Sequence, residues 1–69
     1  MSESVYVVNE IVGASGRSWE DAAKRAIETA AGSIGELRIG EVAKQDATVD
    51  DGKLTNYRVR LNIAFRYHP

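Results

Sequence analysis

Oxygen donors are the reactive material of this 69-residue chain. Asp46, Asp50 and Asp51, together with Glu41 and Asn9, supply hard oxygen atoms of the kind calcium prefers. They have no EF-hand spacing, so a site would need symmetry to bring two or three copies together, and Glu41, Asp46 and Asp50 are the residues expected to contribute. Arg58, Arg60 and Arg66 alternate along one stretch and form a cationic row. Such a row suits either an anion shared between copies or a solvated face paired with Glu41, Asp46 or Asp50. Catalytic chemistry has less to work with. The chain has no cysteine and one histidine, His68, beside the terminal Pro69, which excludes a thiol nucleophile, a thiolate metal site and a histidine metal cluster. Ser15, Ser18 and Ser33 have no nearby histidine to activate them, and Glu10 with Glu41 shows no sign of an acid and base pair. The short Gly13 to Arg17 segment (GASGR) lacks the spacing and the following lysine of a phosphate loop. An enzyme is not expected.

The element that must position these groups is a helix over about residues 18–34, where Trp19, Ala22, Ala23, Ala26, Ile27, Ala30 and Ile34 recur at three- and four-residue steps. Ser18 is placed to cap it, Asp21 stands at the capping-box position, and Glu20 and Asp21 put negative charge at the positive end of the helix dipole. Trp19 reads as an apolar staple in the first turn. Gly32 and Gly35 mark the far end. Lys24, Arg25 and Glu28 form the wet face, with Lys24 and Glu28 one turn apart. The alanines allow a sheet to approach closely but supply little area, so strands must deliver the bulk.

Strands are expected over about residues 4–13, 37–49 and 54–67. The first, VYVVNEIV, is apolar on both faces, with Val5, Val7 and Ile11 on one and Tyr6, Val8 and Val12 on the other, which implies burial on both. The second alternates imperfectly and contains Gly40, a mark of a bend or a close backbone approach. Asp50-Asp51-Gly52-Lys53 is a hairpin turn in which Gly52 takes positive φ. In the third strand Tyr57, Val59, Leu61, Ile63, Phe65 and Tyr67 alternate with Asn56, Arg58, Arg60, Asn62 and Arg66, giving one core face and one wet face. The fold class is α+β: one domain of β-α-β-β order, with a three-stranded antiparallel sheet curled around one helix.

A chain this short buries only about 60% of the surface that its unfolded form exposes. Without disulfides or a built-in metal site, the remaining way to gain stability is oligomerisation. Net charge is −1 with acids and bases interspersed, so neither nucleic acid nor membrane is expected as a partner. There is no signal-peptide pattern and no long apolar run, and the expected location is cytoplasmic.

The pattern resembles the dodecins. The resemblance runs through VYVVNEIVGAS, SWEDAAKRAIETA, LRIGEVAKQD and DDGKLTNYRVRLNIAF, which is nearly the whole chain. It implies a β-α-β-β subunit, assembly into a hollow homododecamer, and storage or sequestration of a small ligand without catalysis. Many such proteins hold flavin at two-fold axes, and some bacterial ones hold coenzyme A or its fragments. The family-equivalent ligand positions here are Ile39, Glu41, Gln45 and Arg58. In flavin-binding members a tryptophan stacks on the flavin where this chain has Ile39, two residues before Glu41. A glutamine that bonds the pyrimidine edge follows the tyrosine of the last strand, where Arg58 follows Tyr57. An Arg-Gly pair near Gln45-Asp46 is also absent. The chain is therefore similar to a flavin-poor branch, some of whose members have been seen with calcium. The expected function is a homo-oligomeric shell storing a ligand or ion between subunits. Three other readings stay open: a flavin store in which Tyr6, Tyr57 or another residue has taken over stacking, an assembly that is itself the whole function, and, least expected, an enzyme whose catalytic constellation forms only in the assembled structure.

Overall fold

A computed structural model describes residues 5–33 and 35–67. Four elements follow one another: β1 (Tyr6–Ser15), α1 (Trp19–Ser33), β2 (Leu37–Asp50) and β3 (Lys53–Arg66). The sheet order is β1-β3-β2, and both ladders are antiparallel. The last strand is thus the central one, which places the sequence's clearest alternation where it has a neighbour on each side. Val59, Leu61 and Ile63 are completely buried under Ala22, while Ile11, Trp19, Ala23, Ala26, Ile27, Ala30 and Leu37 pack around them. Ile34 and His68, named above for the helix stripe and for metal chemistry, lie outside the described residues.

Several expectations need correction. β1 does not end at residue 13 but continues through Ser15, because Gly13, Ala14 and Ser15 still pair with Val59, Arg58 and Tyr57. The link to the helix is only three residues long. Gly13 belongs to the sheet for a steric reason: a Cβ there would collide with the Ala22 carbonyl oxygen and lie 2.7 Å from the Ala26 Cβ. Gly40 allows a second close approach, since its Cβ would meet the Ile27 Cδ1 at 2.9 Å. The uneven alternation of β2 reflects irregular ladder steps at Leu37/Ile39, Val42/Lys44 and Thr48/Val49. Tyr67 and Val5 do not join the core, being 49% and 64% exposed.

The helix cap forms only in part as anticipated. Ser18 Oγ accepts the Asp21 backbone N–H at 3.0 Å. The Asp21 carboxylate does not reach back, because it accepts hydrogen bonds from Ser15 Oγ at 2.5 Å and Arg25 Nε at 2.7 Å. The ion pair found one turn apart on α1 is consequently Asp21 with Arg25. In the hairpin both central residues adopt the left-handed region, Asp51 at φ 52° and Gly52 at φ 75°. This is the primed geometry that matches strand twist, and aspartate tolerates it better than most residues.

Close packing over β1 makes a direct prediction. Gly13→Ala forces a methyl against helix backbone and should cost about 1–3 kcal/mol by overpacking. Gly32→Ala, with nothing within 4 Å of the added carbon, should be neutral or stabilise by up to about 1 kcal/mol. Urea denaturation of the two variants at equal concentration checks the contrast, and equal midpoints would refute it.

Candidate functional site

The face of the sheet turned away from α1 has no covering element, and the ladder register arranges it in rows across β1, β3 and β2. Val8, Ala64 and Ile39 form an apolar row. Next come Glu10, Asn62 and Glu41, then Val12, Arg60 and Lys44, then Ala14, Arg58 and Asp46. Cross-strand neighbours share a face, so each row is a contiguous patch. Val8, Val12 and Ile39 are each more than half exposed. The two-sided burial expected for β1 is therefore incomplete within one protomer.

Asp46 is the most constrained of the predicted site residues. Arg58 donates to it in a fork, Nε to Oδ1 at 2.7 Å and Nη2 to Oδ2 at 2.9 Å. Its backbone carbonyl accepts the Trp19 indole N–H at 2.9 Å, and the Trp19 ring stands edge-on to Tyr57 with centroids 4.9 Å apart. Trp19 thereby ties the start of the helix to both β2 and β3, a structural role in keeping with the staple reading. The hydrogen bonds from Arg58, followed by its charge and those of Arg60 and Lys44, hold the Asp46 carboxyl below the usual aspartate range, and the same bonds to Asp46 push Arg58 upward. Of the pairings expected for the arginine row, Arg58 with Asp46 forms. Arg60 instead reaches Glu10 on β1, with its Nε 4.0 Å from Oε1.

Glu41 is less engaged, since its Oε1 lies 3.5 Å from the Asn62 Nδ2. Gln45 pairs with Val59, a core residue, and so belongs to the opposite face from Ile39, Glu41 and Arg58. Asn9 pairs with Ile63 and is likewise on the opposite face from Glu10. Asp50 ends β2 at the hairpin, roughly 30 Å along the strand from Glu41 at about 3.3 Å per residue. Among the described residues no group of three His, Cys, Asp or Glu side chains could hold a metal ion. One copy thus leaves Glu41, Asp46 and Asp50 apart. Glu10 and Asn62, the residues that do stand beside Glu41, were not picked out as its neighbours from sequence, because only the ladder register places them there. Ser15 is buried, donates to Asp21 and accepts the Arg17 N–H, which leaves it no free base. No helix among the described residues is long and apolar enough to cross a membrane.

The Asp46–Arg58 pair carries a pH signature. A carboxyl with a depressed folded-state pKa contributes stability that is full above its unfolded value and drains away as pH falls through the folded one. Asp46→Asn should therefore melt below the parent protein at pH 7, and the gap should begin to narrow as pH falls past about 4, the ordinary aspartate value, and close only below the depressed folded-state value, where the parent's Asp46 protonates too. Melting curves between pH 7 and pH 2 measure it, and a gap that persists in acid would show that the pair is not the cause.

Comparison with known proteins agrees with this geometry. A family model described as Dodecin matches residues 5–68. The chain is 39% identical over 66 residues to calcium dodecin of Mycobacterium tuberculosis, covering 96% of this chain and 93% of that protein. The crystal structure of that organism's calcium-chelating immunodominant antigen, calcium dodecin, described with a novel calcium-binding site, superposes with a TM-score of 0.83 at 42% identity over 96% of this chain and 94% of that one. Dodecin from Streptomyces davaonensis superposes at 0.90 with 26% identity, over 99% of this chain and all of that one. Dodecins are non-catalytic binding proteins, and with its fold and nearly its whole length matched, this chain belongs to the dodecin family.

Proposed function

We propose that the protein assembles as a homododecameric shell and sequesters a small cation, calcium first among them, between subunits, without catalysis. The observation that carries this reading is the uncovered face of the sheet. Glu10, Asn62 and Glu41 form an oxygen-bearing row there, flanked by exposed Val8, Val12 and Ile39. Bare apolar residues around a polar row are what a contact between copies would use. Calcium takes about six to eight oxygens, more than one row offers, so a site needs oxygens from more than one copy. Kinship to a calcium dodecin supports the choice of ion. Glu41 is the best placed of the predicted ligands, whereas Asp46 would have to give up Arg58, and Asp50 could join only from a neighbouring copy.

A flavin store is less well supported. Ile39, at the stacking position that the dodecin resemblance implies, offers contact area but no π face. Arg58 is donor-only and already bound to Asp46. Tyr57 is engaged edge-on by Trp19, which leaves Tyr6 as the exposed ring on the outer face. These substitutions support a reading of the chain as a flavin-poor dodecin.

Two experiments test these readings. Native mass spectrometry should find a dodecamer, and calcium at 100 times its dissociation constant should stabilise it by about 2.7 kcal/mol, reversibly with chelator and poorly mimicked by magnesium. Glu41→Gln should remove most of that shift while keeping the native mass. A melting curve indifferent to millimolar calcium and to chelator would refute the cation. Riboflavin fluorescence should be quenched only weakly by the parent protein. Adding both Ile39→Trp and Arg58→Gln should raise affinity at least roughly ten- to a hundredfold, the worth of one stacking contact. Strong quenching by the parent would restore the flavin reading.

A further inference from the structure

Ser15 is the one polar side chain among the described residues that is buried, at 7% exposed, and its hydroxyl positions two cations. It accepts the Arg17 backbone N–H at 2.9 Å and donates to the Asp21 carboxylate, which in turn accepts the Arg25 Nε at 2.7 Å. One oxygen at the end of β1 therefore fixes the backbone at Arg17 directly and the guanidinium of Arg25 through Asp21. The hydrogen bond from Ser15, followed by that from Arg25 and by the charges of Arg25 and Arg17, holds the Asp21 carboxyl below the usual aspartate range. It stays ionised as the anchor.

The two arginines line a cleft of about 540 Å³ together with Ala14, Ser15, Gly16 and Asn56. Its walls come from the end of β1, the link, the second turn of α1 and the start of β3, and its volume lies in the range of small-molecule sites. The Arg17 guanidinium makes no hydrogen bond or ion pair among the described residues. Arg25 spends only Nε on Asp21, whereas Arg58 spends both Nε and Nη2 on Asp46. Neither Nη group of Arg25 has a partner among the described residues. The Asn56 amide is likewise unbonded there and stands over the link, with its Oδ1 4.0 Å from where a Gly16 Cβ would sit, so its Nδ2 is left to donate. Two guanidiniums against one carboxylate leave a single positive charge, and Glu20, the other acid of the first turn, does not line the cleft.

We propose that this cleft binds a phosphate dianion, free or carried by a small phosphomonoester, through the guanidiniums of Arg17 and Arg25 with Asn56 Nδ2 as a third donor. A guanidinium presents its N–H groups as a planar fork that matches phosphate oxygens in pairs. The link has no phosphate-loop spacing because the donors here are side chains gathered from the link, α1 and β3, not successive backbone amides. All of them belong to one protomer, so the site is independent of the cation reading above, and either can fail without the other.

The test is a titration of the full chain with inorganic phosphate and with glycerol phosphate, in metal-stripped buffer at constant ionic strength, followed by phosphorus NMR. The parent protein should bind at least one of them in preference to chloride, and the tighter of the two identifies the source of the phosphate. Arg17→Gln and Arg25→Gln should each weaken binding roughly tenfold or more, the worth of a hydrogen bond to a charged group. Arg66→Gln removes the same charge roughly 30 Å along β3 from Asn56, far beyond the screening length, and should leave the affinity unchanged. Circular dichroism and native mass check that each variant keeps its fold and assembly. Should Arg25→Gln not fold, Arg17→Gln carries the test, since that side chain holds nothing else in place. A parent protein that prefers neither phosphate to chloride overturns the proposal. So does an Arg17→Gln variant that binds as tightly as the parent, or an equal loss in Arg66→Gln, which would mean diffuse attraction by net charge.

Discussion

The close approach of α1 to β1 is the contact on which the rest of the protomer depends. Ala22 and Ala26 lie directly over Gly13, where no side chain larger than hydrogen fits. With the helix that near, Val59, Leu61 and Ile63 of the central strand are completely buried by an alanine stripe that brings little bulk of its own. A larger residue at Gly13 would lift the helix and open this core, and dispersion contacts fall off steeply over even a fraction of an ångström. The same seating fixes the start of the helix, so the Trp19 indole reaches the Asp46 carbonyl and the Tyr57 ring.

From that seating follows what remains uncovered. One helix of fifteen residues covers one face of a sheet whose longer strands have fourteen, but at 1.5 Å per residue a helix is less than half as long as a strand of equal count. The far face and the distal hairpin are therefore bare, and they carry Val8, Val12, Ile39, Val49 and Leu54. A chain that buries so few side chains completely leaves much of its apolar surface for contacts between copies. On the proposed function, sequestration between subunits and a small single-copy core go together, because both use the surface that one protomer leaves bare.

The polar groups on the bare face are organised by pairing. Arg58 and Asp46 satisfy each other in a bidentate fork, which removes both from easy ligand binding and stiffens the base of the hairpin. Glu41 and Glu10 keep looser partners, at 3.5 Å and 4.0 Å. Glu41 and Asp46 thus differ in how firmly they are paired although the two stand on the same strand and the same face.

The sequence by itself determined the element order, the α+β class, the core face of β3, the Ser18 cap and the hairpin turn, because each follows from local periodicity or from residues within three or four positions of one another. The family resemblance was legible for the same reason, being spread over nearly the whole chain. Tertiary structure decided that β3 lies between β1 and β2, that β1 runs on through Ser15, and that Gly13 is a packing position within the sheet. It also decided that Glu10 and Asn62 stand beside Glu41 while Asp50 is far from it. These depend on ladder register and on irregular steps such as Val42/Lys44, and a one-residue shift in register moves every following side chain to the other face. Alternation within one strand cannot encode such a shift, because the energy that selects the register comes from contacts between strands and the helix.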